Sequence, residues 1–271
     1  MMPFGPASFL STLAGLTYAA RSDSAAARDR KTLALENVGQ VVYAIGDVHG
    51  CLAQLLKLEA RIAISAQQSP EREHVVIMLG DVIDRGADSA EIIDHLRMPP
   101  KAPFRRIVLA GNHEEAMLAA FDNTSRLARW LEFGGRETLD SYGIPDIARL
   151  PSRTDLQRLR RTMDFLVPED HRCWLAGLPK AVSWRNYLFV HAGIRPGVPL
   201  ASQSLKDMTE IREPFLSSSL DFGAVVVHGH TPTEVPQRFD NRIALDTGCY
   251  LTGRLTAARF LDDSVSFLTV S

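Results

Sequence analysis

"VVYAIGDVHG", residues 41–50, places the apolar run Val41-Val42-Tyr43-Ala44-Ile45 ahead of a glycine and then sets Asp47 and His49 two positions apart. A short apolar run rich in β-branched residues and closed by glycine predicts a buried strand. The polar pair would then stand just past its carboxyl end. The same arrangement recurs at "HVVIMLG" (74–80), which runs into "DVIDRG", and at "RRIVLAG" (105–111), which runs into "NHE". Between these strands "CLAQLLKLEARIAISAQ" (51–67) carries apolar residues at three-and-four spacing, and "DSAEIIDHLR" (88–97) opens with an aspartate positioned to cap a helix. Strand, helix, strand, helix, strand implies βαβ units around a parallel sheet.

Strand-like runs return at 187–193, 224–230, 242–248, 254–260 and 265–270, and the last three are separated only by turn residues. That closeness predicts antiparallel pairing and a mixed architecture. Residues 113–180 are rich in Arg and Leu and are broken by Gly134-Gly135 and "YGIP" (142–145), which predicts a helical insertion over one end of the sheet. The fold class is therefore α/β, with residues 41–271 as a single domain. Residues 1–40 read as an appendage, flexible or a peripheral helix.

With 271 residues, of which 45% are hydrophobic, the chain can bury a substantial core. A net charge of −2 supplies no general positive field, so neither nucleic acid nor an anionic membrane surface is expected as a partner. Cys51, Cys173 and Cys249 are widely separated and show no CxxC spacing, which fits a reducing compartment and a cytoplasmic protein. No run approaches the roughly 20 apolar residues of a membrane span. The stretch "FLSTLAGL" near the start has no basic segment before it and no evident cleavage site after it.

The strand ends collect Asp47, His49, Asp81, Asp84, Arg85, Asn112 and His113, and the later strands add His191, His228 and His230. This is the edge where open α/β sheets place their ligands. Each residue alone has a plain structural reading. A DxH pair is commonly a turn beside a surface histidine, and Asn112 is a candidate N-cap with Glu114 and Glu115 in the first helical turn. "DRG" is commonly a turn with a surface ion pair. Five successive strand ends delivering Asp, Asn or His are harder to explain by stability, because such groups are costly to bury without partners. Their oxygen and nitrogen donors suit two divalent cations with mixed imidazole and carboxylate ligation, and exclude a thiolate site.

Taken in order, "GDVHG", "GDVIDRG", "GNHE", "HAG" (191–193) and "HGHTP" (228–232) resemble the signature motifs of the phosphoprotein phosphatase type of binuclear, calcineurin-like metallophosphoesterase. The likeness is strongest to the bacterial serine/threonine protein phosphatase branch and covers about residues 41 to 260. It implies a four-layer α/β/β/α sandwich with mixed sheets. It also implies one metal on Asp47, His49 and Asp81 and a second on Asp81, Asn112, His191 and His230, with Asp81 bridging. Manganese is the first expectation, and iron and zinc are also accepted by such donors. By the same resemblance a metal-bridging hydroxide attacks phosphorus, His113 protonates the leaving oxygen, Asp84 holds the His113 ring, and Arg85 and Arg212 bind the phosphoryl group. His228 is assigned to the surroundings of the ligands. Val82-Ile83 departs from the aromatic-valine pair of many relatives, with an altered pocket wall expected, and Arg136 falls in a glycine-bounded loop.

The expected function is a metal-dependent phosphomonoesterase acting on phosphorylated proteins, on serine and threonine or also on tyrosine. The alternative is a symmetrical dinucleoside tetraphosphate hydrolase. "GNHE" favours the first and "LDTGC" (245–249) resembles the second. A remote alternative is a non-catalytic phosphate-binding scaffold.

Overall fold

The computed structural model describes residues 32–35, 39–144 and 151–271. Strand β2 (Gln40–Ile45) shows why the opening run decides the architecture: all six of its residues are buried. Val41, Tyr43 and Ile45 face one core while Val42 and Ala44 face another. A strand apolar on both faces needs cover on both sides. β2 pairs in parallel with β3 (Glu73–Met78), and β3 pairs in parallel with β4 (Phe104–Val108). The other edge of this sheet is the antiparallel hairpin of β10 (Leu255–Leu261) and β11 (Ser264–Val270), with β10 antiparallel to β2.

The second sheet orders β1 (Thr32–Ala34), β5 (Ala181–Trp184), β6 (Tyr187–Val190), β7 (Val225–His228), β9 (Arg242–Ala244) and β8 (Gln237–Arg238). Tyr187 and Phe189 of β6 enter the core between the sheets, where they meet Val42, Ile77 and Phe260, whereas Leu188 and Val190 face outward against Met208, Ile211 and Phe215. The outer face of the first sheet is covered by α1 (Leu52–Ala66) and α2 (Ser89–Arg97), whose buried residues Leu55, Leu58, Ile62, Ile92 and Ile93 join the core that Val41, Tyr43 and Ile45 face. Helix, sheet, sheet and helix thus form the four layers of a mixed α/β sandwich.

The stretch 112–176 supplies α3 (Asn112–Ala120), α4 (Thr124–Trp130), a kink (Leu131–Gly135) at which Gly134 leaves helical geometry, α5 (Arg136–Ser141), α6 (Arg153–Leu166) and α7 (Glu169–Ala176). Arg136 therefore opens a helix and does not sit in a loop. Short α8 (Leu205–Glu210) and α9 (Cys249–Thr252) follow. Three further details differ from the sequence reading. β9 pairs with β7 and β8 and not with β10, because the chain changes sheets through α9. Asp88 stands at the N-cap of α2 without a side-chain capping bond. Most of the 1–40 appendage lies outside the described residues, but Thr32–Ala34 extends the second sheet by pairing in parallel with β5, so ordered sandwich begins before residue 41.

Candidate metal centre

The motifs meet where β2, β3, β4, β6 and β7 end. Backbone strain is concentrated there: His49, Asp81, Asp84, Arg85 and His230 all have positive φ, between 47° and 71°. Each such residue costs on the order of 1–3 kcal/mol and persists only where its surroundings dictate the conformation. The device at Asp81 is Glu114, a fully buried carboxylate on α3. Its Oε2 accepts the N–H groups of Gly111 at 2.7 Å and Asp81 at 2.9 Å, and its Oε1 accepts that of Val82 at 2.9 Å. Gly111 is the N-cap of α3, so the helix begins at Asn112, which was the expected cap, and the Asn112 side chain is released toward the cluster.

Asp81 is the hub. Its Oδ2 lies 3.3 Å from His191 Nε2, 3.7 Å from His49 Nε2 and 3.8 Å from His113 Nε2. His191 Nε2 is also 2.9 Å from Asn112 Oδ1 and 3.2 Å from His230 Nδ1. Two groups of donor atoms result, His49 with Asp81 and His113, and Asp81 with His191 and His230. The second matches the expected set, with Asn112 beside it. In the first, His113 occupies the place expected for Asp47. Both Asp47 oxygens instead accept the His230 N–H, at 3.0 and 3.1 Å. Two buried carboxylates repel one another, and the amide gives Asp47 a compensating donor.

Donor chemistry fits a cation. Nδ1 of His49 donates to the Ile83 carbonyl and Nδ1 of His191 to that of Leu79, each at 2.9 Å, which turns both Nε2 atoms toward Asp81 as the ligand-type nitrogens. Burial brings His49 down to about 3, and burial together with His191 does the same to His230, so both are neutral ligand-type imidazoles. At His191 burial opposes charge, yet Asp81, helped by Asp47 and Glu114, raises it to about 10. Burial and then Asp246 push Asp47 well above the usual carboxylate range. The pocket is thus short of positive charge, as a site built around divalent ions would be.

His113 is held differently. Its Nδ1 lies 2.7 Å from Asp84 Oδ2, and the same oxygen accepts the Trp130 indole N–H at 2.8 Å while Asp84 Oδ1 accepts from Thr138 Oγ1 at 2.6 Å. Burial works against the imidazolium, but Asp81 and then Asp84 raise His113 above the ordinary histidine value. Phe133 lies flat on the His113 ring, 4.0 Å between centroids at 9°. Arg85 reaches the Tyr250 hydroxyl and lies 3.3 Å from His113 Nε2. Arg212 stands beside His230, its Nη2 3.4 Å from the His230 carbonyl. Both arginines border a cavity of about 720 Å³ that opens over His49, Asp81, Asn112, His113 and His230.

Trp130, Thr138, Phe133 and Tyr250 escaped the sequence reading. His228 turns away, its ring edge-on to Phe215 at 5.0 Å. Asp246 accepts the Gly248 N–H at 2.8 Å and so caps a turn at the cavity edge. Val82 and Ile83 are buried in the core and do not shape the pocket wall; Arg136 is not among its lining residues.

A model of the calcineurin-like phosphoesterases matches residues 41–264. The chain belongs to that family. Among relatives of known designation, the asymmetrical bis(5'-nucleosyl)-tetraphosphatase PrpE of Anoxybacillus flavithermus is 24% identical over 234 residues, covering 80% of this chain and 89% of the relative. The symmetrical bis(5'-nucleosyl)-tetraphosphatase of Janthinobacterium sp. is 27% identical over 288 residues, covering 81% and 93%. A solved structure provisionally described as a diadenosine tetraphosphatase shares the fold at a TM-score of 0.62 and 22% identity, over 89% of this chain and 99% of that one. A cold-active protein tyrosine phosphatase of a psychrophilic Shewanella does so at 0.53 and 18%, over 90% and 85%. Family membership stands, but these sequence relatives do not carry the serine/threonine phosphatase designation that the motifs suggested. Among the described residues no helix is long and apolar enough to cross a membrane.

Proposed function

We propose that this chain is a metal-dependent hydrolase of dinucleoside tetraphosphates, which reverses the order of the two readings drawn from the sequence. The observation that carries this reading is that relatives matched along four-fifths of the chain are designated bis(5'-nucleosyl)-tetraphosphatases, of both symmetrical and asymmetrical kinds. "GNHE" no longer argues for a phosphoprotein substrate, because Glu114 is spent on backbone amides and faces no ligand.

Asp47, His49, Asp81, Asn112, His191 and His230 would hold two divalent cations. When bound, these would withdraw charge from phosphoryl oxygens and acidify water near neutral pH. The remaining roles belong to the chain. Arg85 beside His113 and Arg212 beside His230 bind and orient the phosphoryl oxygens as the charge on them changes. His113 presents Nε2 to the leaving oxygen, and its raised proton affinity suits a general acid. Asp84 fixes the His113 tautomer through Nδ1–H, and Trp130 and Thr138 fix Asp84.

Incubation of metal-loaded protein with diadenosine tetraphosphate, followed by chromatography of the nucleotides, tests the reading. Two equivalents of diphosphate would show symmetrical cleavage, and triphosphate with monophosphate asymmetrical cleavage. Turnover of a phosphopeptide at more than tenfold the rate found for the dinucleotide would overturn it.

A further inference from the structure

The cavity is larger than the reacting group needs. At about 720 Å³ it falls in the range of pockets that enclose whole small molecules. It runs from the Asp81 cluster past Ala116 and Ala119 of α3 to Arg126 and Arg129 of α4. The alanines keep this arm open. Arg126 and Arg129, three residues apart on a helix, share a face, and that face borders the cavity. Arg126 is half committed, its Nη1 lying 2.5 Å from Asp122 Oδ2. Arg129 has no ion pair or hydrogen bond among the described residues. Of the other charges along the cavity, Glu115 pairs with Lys180, Lys206 lies beside Glu210 and Asp81 faces its histidines, while Arg85 and Arg212 stand at the reacting end on the Tyr250 hydroxyl and the His230 carbonyl. In a chain of net charge −2, an uncompensated guanidinium on a cavity wall indicates a ligand that carries negative charge at that point.

We infer that Arg129, assisted by Arg126, forms a second anion subsite that binds phosphates beyond the scissile one, so the cavity selects linear polyphosphate esters over simple monoesters. This rests on the proposed function for the reacting end only. Arg85 and Arg212 serve the group under attack, while the α4 pair serves the rest of the chain. A phosphomonoester reaches the first pair and leaves the second untouched.

The test compares wild type with Arg129→Gln, Arg126→Gln/Arg129→Gln and Arg129→Lys, all exposed changes that leave the core intact. Calorimetry on metal-loaded protein, with metal in excess, measures inorganic tripolyphosphate and orthophosphate. The expected result is a Kd for tripolyphosphate raised roughly tenfold in Arg129→Gln and further in the double variant, the order of one lost charge-assisted hydrogen bond. Orthophosphate should stay within about twofold, and Arg129→Lys should lie between. KM for diadenosine tetraphosphate should rise with kcat little changed, and aryl phosphate hydrolysis should not move. If both anions weaken equally, or neither does, the subsite is wrong. Selective loss of tripolyphosphate in a protein that does not cleave the dinucleotide would uphold the subsite and overturn the proposed function instead.

Discussion

The indole Nε1 of Trp130 and the carboxylate of Asp84 are joined by a 2.8 Å hydrogen bond across 46 residues of sequence. The same Asp84 oxygen faces His113 Nδ1. The helical insertion therefore reaches the general-acid candidate from two sides: α4 supplies Trp130 and α5 supplies Thr138 through Asp84, and the kink between them lays Phe133 flat on the His113 ring. The kink is docked by Arg85, whose backbone N–H donates to the Gly134 carbonyl at 3.0 Å.

Trp130→Phe keeps the ring and removes the donor. A buried acceptor that loses one partner costs about 1–3 kcal/mol. Asp84 would hold the His113 ring less firmly. Protonation of a poor leaving group should suffer and that of a good one should not. The expected outcome is a fall of roughly tenfold in kcat for an alkyl phosphate or nucleotide substrate, with p-nitrophenyl phosphate nearly unaffected. Equal losses on both would mean that Trp130 acts only through folding.

Glu114→Gln should act on stability first. Each carboxylate oxygen faces backbone N–H groups, and an amide would turn its NH2 against donors, those of Gly111 and Asp81 or those of Val82 and Ile83. Losing such contacts in the interior costs about 2–4 kcal/mol. The left-handed conformation at Asp81 would lose its support with them. Urea unfolding should show the midpoint shift with an unchanged slope, and metal content should fall alongside.

Metal occupancy has its own expected signature. Elemental analysis after loading and dialysis should find about two divalent ions per chain, as a site sharing one carboxylate implies. Ions that bind only the folded state raise Tm with concentration. That rise should be largely lost in His191→Ala and Asp81→Asn, and in wild type treated with chelator. A wild type that retains no metal and shows no shift would remove the basis of the proposed chemistry.

Residues 41–45 and 75–79 disclosed their sheet because their side chains alternate between two cores and both are apolar, a pattern only a doubly covered strand requires. β8 and β1 have two and three residues, too few for any periodicity, and owe their existence to the edges they join. β9 was legible as a strand but not in its partner, since proximity in sequence to β10 said nothing of the change of sheet. In the site, Asp, Asn and His at strand ends were readable because their chemistry is unusual there. Trp130, Thr138 and Tyr250 are ordinary residues of helices, made important by packing over separations of 46, 54 and 165 residues. One signal could have anticipated some of them: a buried Asp84 needs donors beyond His113, and Trp and Thr are among the few that can supply them.

Gly229→Ala offers the sharpest steric test of the cluster. A Cβ at Gly229 would stand 1.9 Å from Asp47 Oδ1, closer than any real contact, and the obstruction is the carboxylate itself. Gly229 also donates its N–H to the His191 carbonyl at 2.8 Å, so its backbone cannot retreat without pulling on a proposed ligand. Asp47 must therefore swing away, and the His230 N–H loses its acceptor. The fold should survive, because the clash lies past the strand ends and involves no residue of either sheet core. Metal affinity should drop by roughly ten- to a hundredfold, the scale seen when groups that orient ligands are disturbed. Competition with a chromophoric chelator measures it, and circular dichroism checks the fold. If Gly229→Ala binds metal as tightly as wild type, Asp47 is not a ligand, and His113, already 3.8 Å from Asp81, becomes the candidate for its place.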